Sequence, residues 1–199
     1  MAGSVSRTQL FEREGLSAAG HVRDLFSEQV QLLRDAGVDF LILETFFRLD
    51  EILIALECAG RSGLPIVATM SFRPVVTQSS DCHTPAECAR RMADAGAIAV
   101  GANCEQEPAR MLSILREMRH AVPVAIAAQP AAFRTTDQTP CFTKLSQFPD
   151  EMETIQASRT DFREFGRQAR AEGVAYVGGC CGCNAAYIRA LALGVAESK

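Results

Sequence analysis

The cysteines are the residues of this sequence most able to carry out chemistry. Three of the eight, Cys180, Cys181 and Cys183, lie close together near the C-terminal end, and the others are scattered along the chain. Disulfide frameworks are typical of short secreted domains with small cores, whereas this chain has 199 residues and is 48% hydrophobic. We therefore interpret the cysteines as thiols in a reducing compartment, and their clustering indicates metal or redox chemistry.

Cys104 follows another apolar segment, and its position predicts where the thiols meet. It comes directly after residues 100–103, and Cys180 and Cys181 come directly after residues 177–179. If these segments are neighbouring strands of a closed sheet, the three thiols can converge on a tetrahedral zinc ion and leave one position open. Three thiolates make zinc electron-rich, which favours activating a fourth thiol over acidifying water. The predicted chemistry is alkylation of a bound thiol.

Two other arrangements of the cysteines are open at this point. Cys183 could join Cys104, Cys180 and Cys181 in a closed zinc site that only stabilises the fold. Asn184 argues against this arrangement, because it is a good N-cap residue and would start a helix directly beside Cys183. A disulfide between Cys180 and Cys181 would need a strained ring and an oxidising environment. We expect the open site.

Short apolar runs predict the strands that would position these thiols. Each run is almost continuously apolar, which is typical of parallel strands buried on both faces. The first four begin at residues 40, 66, 97 and 124, a spacing that fits one strand and one crossover helix per unit. The fifth begins only at residue 175, so a long loop is expected at residues 131–156. The runs are residues 40–43, 66–70, 97–102, 124–128 and 175–177.

The helices between these strands have recognisable ends. Thr84, Pro85 and Glu87 have the pattern of a capping box with proline in the first turn, which predicts a helix start. Four helices are predicted to end at a glycine just before a strand, since glycine readily adopts the left-handed conformation: Gly37, Gly63, Gly96 and Gly173. The repeat predicts an α/β fold, either a barrel or an open sheet. The glycine-rich and phosphate-loop motifs of nucleotide-binding sheets do not occur in the sequence.

Charge and hydropathy narrow the classes of function. The net charge of −4 is spread along the chain, so there is no basic stripe for nucleic acid and no polybasic segment for a membrane surface. No apolar run approaches the roughly 20 residues that span a bilayer, and the first residues lack the pattern of a secretion signal. We expect a cytoplasmic protein with one domain, residues 1–199, that acts on small molecules.

Two motifs together resemble those of a known enzyme family. Residues 100–104 read Val-Gly-Ala-Asn-Cys, and residues 176–182 read Tyr-Val-Gly-Gly-Cys-Cys-Gly. The pair resembles the zinc motifs of homocysteine S-methyltransferases, and Gly-Gly-Cys-Cys-Gly is highly specific for that family. The sequence is most similar to the betaine–homocysteine S-methyltransferase branch, and the similarity extends over nearly the whole chain. The segments that carry this similarity are residues 40–46, 65–70, 129–130 and 148–149.

The resemblance implies a TIM (β/α)8-type barrel in which Cys104, Cys180 and Cys181 hold zinc. Homocysteine sulfur would complete the ligand set, Glu44 would bind the amino group, and an onium donor such as betaine would supply the methyl group that gives methionine. Family members begin with two further strands, the first ending in Gly-Asp-Gly-Gly, and this sequence has no Asp-Gly dipeptide. Residues 2–6 resemble the family's third strand, so about six of eight βα units are expected.

Several properties stay open within this resemblance. Thr45 stands in the donor pocket where the betaine branch has tyrosine, so S-methylmethionine and methylcobalamin are alternative donors. The chain could also be a truncated zinc-binding homologue without turnover. The branch's C-terminal oligomerisation extension is absent, so both a monomer and a homo-oligomer are compatible with the sequence.

Overall fold

The computed structural model describes residues 1–72 and 77–197, which contain one parallel sheet of six strands. Each strand pairs with the next one along the chain. All five apolar runs and residues 2–6 are confirmed as strands. They are β1 (Ala2–Ser6), β2 (Phe40–Phe46), β3 (Ile66–Met70), β4 (Ala99–Asn103), β5 (Ala125–Gln129) and β6 (Tyr176–Val177).

The order of the strands shows that the chain winds in one direction. Each connection leads through a helix to the neighbouring position, so the order never reverses as it does in a doubly wound nucleotide-binding sheet. This order is that of a (β/α)8 barrel, but within the described residues no pairing joins β1 to β6. The prediction of an incomplete barrel with about six βα units is confirmed.

The helices pack against the outer face of the sheet, and their ends agree with the sequence signals. The capping box at Thr84 is present, with Pro85 in the first turn and Glu87 bonded back to Thr84. The four predicted helix-ending glycines all have positive φ, between 75° and 97°. None of the described helices is long and apolar enough to cross a membrane. The helices are α1 (Gln9–Glu14), α2 (Ala19–Asp35), α3 (Leu49–Gly60), α4 (Pro85–Asp94), α5 (Pro108–Ala121), α6 (Arg159–Ala171) and α7 (Ala185–Glu197).

The central strands β2 to β5 are largely buried on both faces, which explains their continuous apolar runs. Outward-facing side chains pack against the helices in the main core. Inward-facing side chains form a second apolar cluster, which contains Ile42, Val67, Ala99 and Ala127. Because side chains alternate along a strand, the same inward series continues to the carboxyl end, where it reaches polar residues. These buried polar residues are Thr69, Asn103 and Gln129.

The last strand is short, and the two helices on either side of it in the sequence pack closely together. Only its two residues pair with β5. The helices α6 and α7 are so close that a Cβ atom on Gly194 would lie 1.9 Å from the carbonyl oxygen of Arg163. A Cβ atom on Gly166 would lie 2.4 Å from the carbonyl oxygen of Leu191. These two glycines let the helices pack backbone to backbone.

Three strands, β2, β4 and β5, continue beyond the predicted runs at the carboxyl edge of the sheet, and β4 ends at Asn103. β2 continues through Glu44 to Phe46, and its register against β3 shifts between Leu43 and Phe46. Gln129 is the last residue of β5 and not the first residue after it. The apolar pattern ends before the backbone pairing does, because pairing needs backbone groups only. The residues 131–156 form the expected long connection, which contains short 3-10 helices at Phe142–Lys144 and Met152–Ile155.

Candidate metal centre

The three cysteines predicted as zinc ligands lie together at the carboxyl end of the sheet. The Sγ atoms of Cys104, Cys180 and Cys181 are all within 4.8 Å of one another, and each thiol is free. Cys104 Sγ lies 3.4 Å from Cys181 Sγ, and Cys180 Sγ lies 3.9 Å from Cys181 Sγ. Within residues 1–72 and 77–197, no other three His, Cys, Asp or Glu side chains are grouped in this way.

The end of β5 positions both thiol-bearing segments. The backbone N–H of Cys104 donates to the carbonyl of Gln129, and that of Cys180 donates to the carbonyl of Pro130, each over 2.9 Å. Cys104 has a φ of 60°, so the chain turns sharply where β4 ends. Because both segments are bonded to adjacent residues, thiols that are 77 residues apart in the sequence meet at one point.

Mutual hydrogen bonding and burial give the three thiols different acidities. Hydrogen bonds with Cys180 and Cys181, together with burial, raise the pKa of Cys104. The pKa of Cys181 is lowered to about 3, because the Cys104 and Cys180 thiols donate to its thiolate. The neighbouring thiols thus favour ionisation of Cys181 and oppose ionisation of Cys104. A cation that binds sulfur would be needed to ionise all three.

Cys183 does not join the cluster. Its backbone N–H donates to the carbonyl of Cys180 over 3.1 Å, and its Sγ lies 3.7 Å from the carbonyl oxygen of Pro130. Asn184 Oδ1 accepts a hydrogen bond from the backbone N–H of Ala186, so Asn184 caps α7 as expected. Burial raises the pKa of Cys183 to about 11, which keeps this thiol protonated at neutral pH. The described geometry does not contain the closed four-cysteine arrangement.

The two residues predicted to contact substrate lie at the same edge of the sheet. The Ser4 hydroxyl donates to Glu44 Oε1 over 2.6 Å. Thr45 has a φ of 63°, a conformation that is rare for a β-branched residue. Its backbone N–H donates to Asn103 Oδ1 over 2.9 Å. The irregular end of β2 is therefore attached directly to the strand that precedes Cys104.

Three polar residues at this edge were not assigned to the site by the sequence analysis. Ser4 donates a hydrogen bond to the Glu44 carboxylate, and Asn103 contacts both Thr45 and Cys180. The side-chain oxygen of Gln129 is buried and has no hydrogen-bond partner among the described residues. All three lie on the inward face of their strands. Alternation counted from the inward apolar residues would have pointed to them.

The long loop after β5 covers one side of the cysteines. The rings of Phe133 and Phe142 lie 4.8 Å apart and pack in one buried cluster with Cys104. The Cys141 thiol donates to the carboxylate of Glu105, which ties the loop to the residue that follows Cys104. The loop therefore shields the buried side of the thiols from water.

Comparison with known proteins places this arrangement in a family. The sequence profile of the homocysteine S-methyltransferase family matches residues 1–195. Betaine–homocysteine S-methyltransferase 1 of Bos taurus is 35% identical over 210 residues, which cover 100% of this chain and 49% of the bovine protein. S-methylmethionine–homocysteine S-methyltransferase BHMT2 of Pongo abelii is 33% identical, over 100% of this chain and 55% of its own length. The chain thus spans about half the length of the curated relatives it matches.

A solved structure shows the same architecture. The apo form of the homocysteine methyltransferase MmuM from Escherichia coli matches with a TM-score of 0.72 and 19% sequence identity. The match covers 97% of this chain and 61% of that one, and at this identity it establishes the fold alone. The family itself is established by the profile match, which covers nearly the whole sequence. The chain belongs to the homocysteine S-methyltransferase family.

Proposed function

We propose that residues 1–199 are a partial barrel domain of a zinc-dependent homocysteine S-methyltransferase. The observation that carries this proposal is the convergence of Cys104, Cys180 and Cys181 at the carboxyl edge of the sheet. This edge is where barrels of this type bind their substrates. Zinc held by the three thiolates would keep a substrate thiol ionised at neutral pH and present its sulfur as a nucleophile.

The donor set fits zinc. Thiolates are preferred zinc ligands, and these three thiols are close together, free and held by the backbone of β5. Cys183 lies outside the group, so three residues, Cys104, Cys180 and Cys181, would hold the ion, and a substrate thiol could act as a further ligand. A cytoplasmic location is part of the proposal, because a reducing environment protects adjacent thiols from oxidation.

Glu44 and Gln129 are the residues proposed to hold the homocysteine ammonium group. Glu44 is partly exposed at the edge, and Ser4 donates to only one of its carboxylate oxygens. The buried Gln129 oxygen needs a donor that none of the described residues supplies. An ammonium group offers three N–H donors, so each of these acceptors is chemically suited to receive one of them.

The methyl donor is proposed to be an onium compound. The relatives named above are called betaine and S-methylmethionine enzymes, and both donors carry the methyl group on a positively charged atom. A positively charged methyl group is attracted to aromatic faces, and Thr45 offers none where the betaine branch has tyrosine. Betaine and S-methylmethionine are therefore both candidates, with methylcobalamin as the non-onium alternative.

The open edges of the sheet favour a second candidate function. On β1 the inward-facing Ser4 and Ser6 are exposed, because no described strand lies beyond them. A partial barrel with this exposed interior could bind zinc without turnover. The two candidates predict the same metal binding but differ in methionine formation.

The proposal is tested by homocysteine binding and methyl transfer. Calorimetry should detect homocysteine binding to the zinc-loaded chain and none to the metal-free chain. Methionine formation is then measured with each of the three donors. It is measured on this chain and on the chain extended at its N-terminus by two βα units of the bovine relative. Binding without methionine in either form favours the second candidate, and a zinc-loaded chain that does not bind homocysteine contradicts the methyltransferase proposal.

Replacing Glu44 with glutamine should weaken homocysteine binding by about 10- to 100-fold while zinc affinity stays unchanged. The reason is that a charge-assisted hydrogen bond contributes about 1.5 to 3 kcal/mol, and about 1.4 kcal/mol corresponds to a tenfold change in affinity. Calorimetry with the zinc-loaded variant gives the first value, and competition with a chromophoric chelator gives the second. Glu28→Gln on the exposed face of α2 is the matched control. Parallel loss of zinc and homocysteine in Glu44→Gln would contradict the assigned role.

A further inference from the structure

Asn103 is a buried residue that contacts both Thr45, which follows Glu44, and Cys180, which belongs to the thiol cluster. It ends β4, directly before Cys104, and it is 1% exposed. Its Oδ1 accepts from the backbone N–H of Thr45 over 2.9 Å, and its Nδ2 donates to Thr45 Oγ1 over 2.7 Å. Nδ2 also lies 3.9 Å from Cys180 Sγ, within hydrogen-bonding distance of a sulfur atom. One side chain therefore contacts the irregular end of β2 and one of the three clustered thiols.

The orientation of this amide is determined by its partners. A backbone N–H can only donate, so the side-chain oxygen must face Thr45 N. The NH2 group is then directed to the Thr45 hydroxyl and to the Cys180 sulfur, and its two hydrogens are both used. Asn103 therefore fixes the position of the Cys180 sulfur relative to Thr45.

The same amide also holds the backbone beside Glu44. Thr45 has a φ of 63°, which is unfavourable for a β-branched residue and persists only where the surroundings enforce it. Asn103 supplies two hydrogen bonds to this residue. The shift in register between β2 and β3 lies at the same place, so the direction of the Glu44 side chain depends on this conformation.

We infer that Asn103 is a positioning residue that couples the amino-acid-binding side of the site to the metal-binding side through Thr45 and Cys180. This inference rests on the proposed function, which assigns Glu44 to the substrate and Cys180 to zinc. Its hydrogen bonds hold Thr45 and Cys180 at a fixed separation. Outer-shell partners of this kind typically change metal affinity by about 10- to 100-fold when they are removed.

A double-mutant cycle with Cd²⁺ tests the contact with sulfur and needs no enzymatic activity. Cd²⁺ affinity is measured by titrating the thiolate charge-transfer absorption in the parent chain, Asn103→Ala, Cys180→Ala and the double variant. We expect Asn103→Ala to weaken Cd²⁺ binding by about 10- to 100-fold when Cys180 is present. In the Cys180→Ala background it should have little further effect. Equal losses in both backgrounds would overturn the inference, because a purely structural role does not depend on Cys180.

Thr45→Gly separates the backbone role of Asn103 from its role at the sulfur. Glycine adopts positive φ without strain, so Thr45→Gly should restore the thermal stability that Asn103→Ala loses. It should not restore Cd²⁺ affinity, because the donor to Cys180 is still absent. Full recovery of Cd²⁺ affinity in Asn103→Ala/Thr45→Gly would overturn the inference. A parent chain that binds no Cd²⁺ would instead contradict the zinc proposal, and the role of Asn103 with it.

Discussion

Replacing Cys104, Cys180 or Cys181 with alanine should lower zinc affinity by on the order of a hundredfold or more, whereas Cys183→Ala should leave it nearly unchanged. Binding of structural zinc by four protein ligands is worth roughly 10 to 16 kcal/mol, so the loss of one ligand costs a few kcal/mol. The three clustered sulfurs lie within 4.8 Å of one another, and Cys183 faces the carbonyl of Pro130 instead. Competition with a chromophoric chelator at neutral pH measures each affinity.

Cys183→Ala is the matched control for this series, because it removes a thiol from the same loop. If it loses zinc as fully as Cys104→Ala, all four cysteines hold the ion and the site is closed and structural. Circular dichroism of each metal-free variant shows whether the fold is kept. A series in which no single replacement changes zinc affinity would show that the ion binds elsewhere.

The main features of the fold could be predicted because they depend on local and periodic signals. Parallel strands buried on both faces produce continuous apolar runs, and all five runs are strands. A glycine at the end of a helix indicates a positive φ, a conformation that other residues avoid. Gly96, for example, has a φ of 97°. The approach of Cys104 to Cys180 and Cys181 could be expected too, because parallel strands bring their carboxyl ends to one edge.

The detailed site could not be predicted, because it depends on the register between strands distant in the sequence. Asn103 and Thr45 are 58 residues apart and meet only because the sheet places β4 and β2 on either side of β3. The positive φ of Thr45 has no signal in the sequence, since threonine normally avoids that region. Cys183 shows that residues adjacent in the sequence can also lie apart at the site. It is adjacent to two clustered thiols in sequence, yet the turn into α7 directs it away.

The unpaired edges of the sheet predict that this polypeptide associates with other chains. β1 and β6 each have one side without a strand partner among the described residues. Unpaired backbone groups at strand edges favour association with other chains. The helices next to these edges also expose large apolar side chains, which would be covered in a closed barrel. On α2 these are Leu25 and Leu32, and on α7 they are Ile188 and Leu193, which are 39% to 64% exposed.

A polypeptide of these 199 residues should therefore self-associate in solution and transfer methyl groups at least a hundredfold more slowly than the same chain completed to eight βα units. Two added units would pair with both sheet edges, cover the exposed leucines and shield the inward face of β1 from water. Correct orientation of two reactants can lower a barrier by about 7 to 11 kcal/mol, so an open site loses much of its rate.

Size-exclusion chromatography with light scattering measures the association, and methionine formation measures the rate. Extension by a Gly/Ser segment of equal length is the control, since it adds mass without strands. A monodisperse, monomeric 199-residue chain that forms methionine at about 1 per second or faster would contradict this expectation.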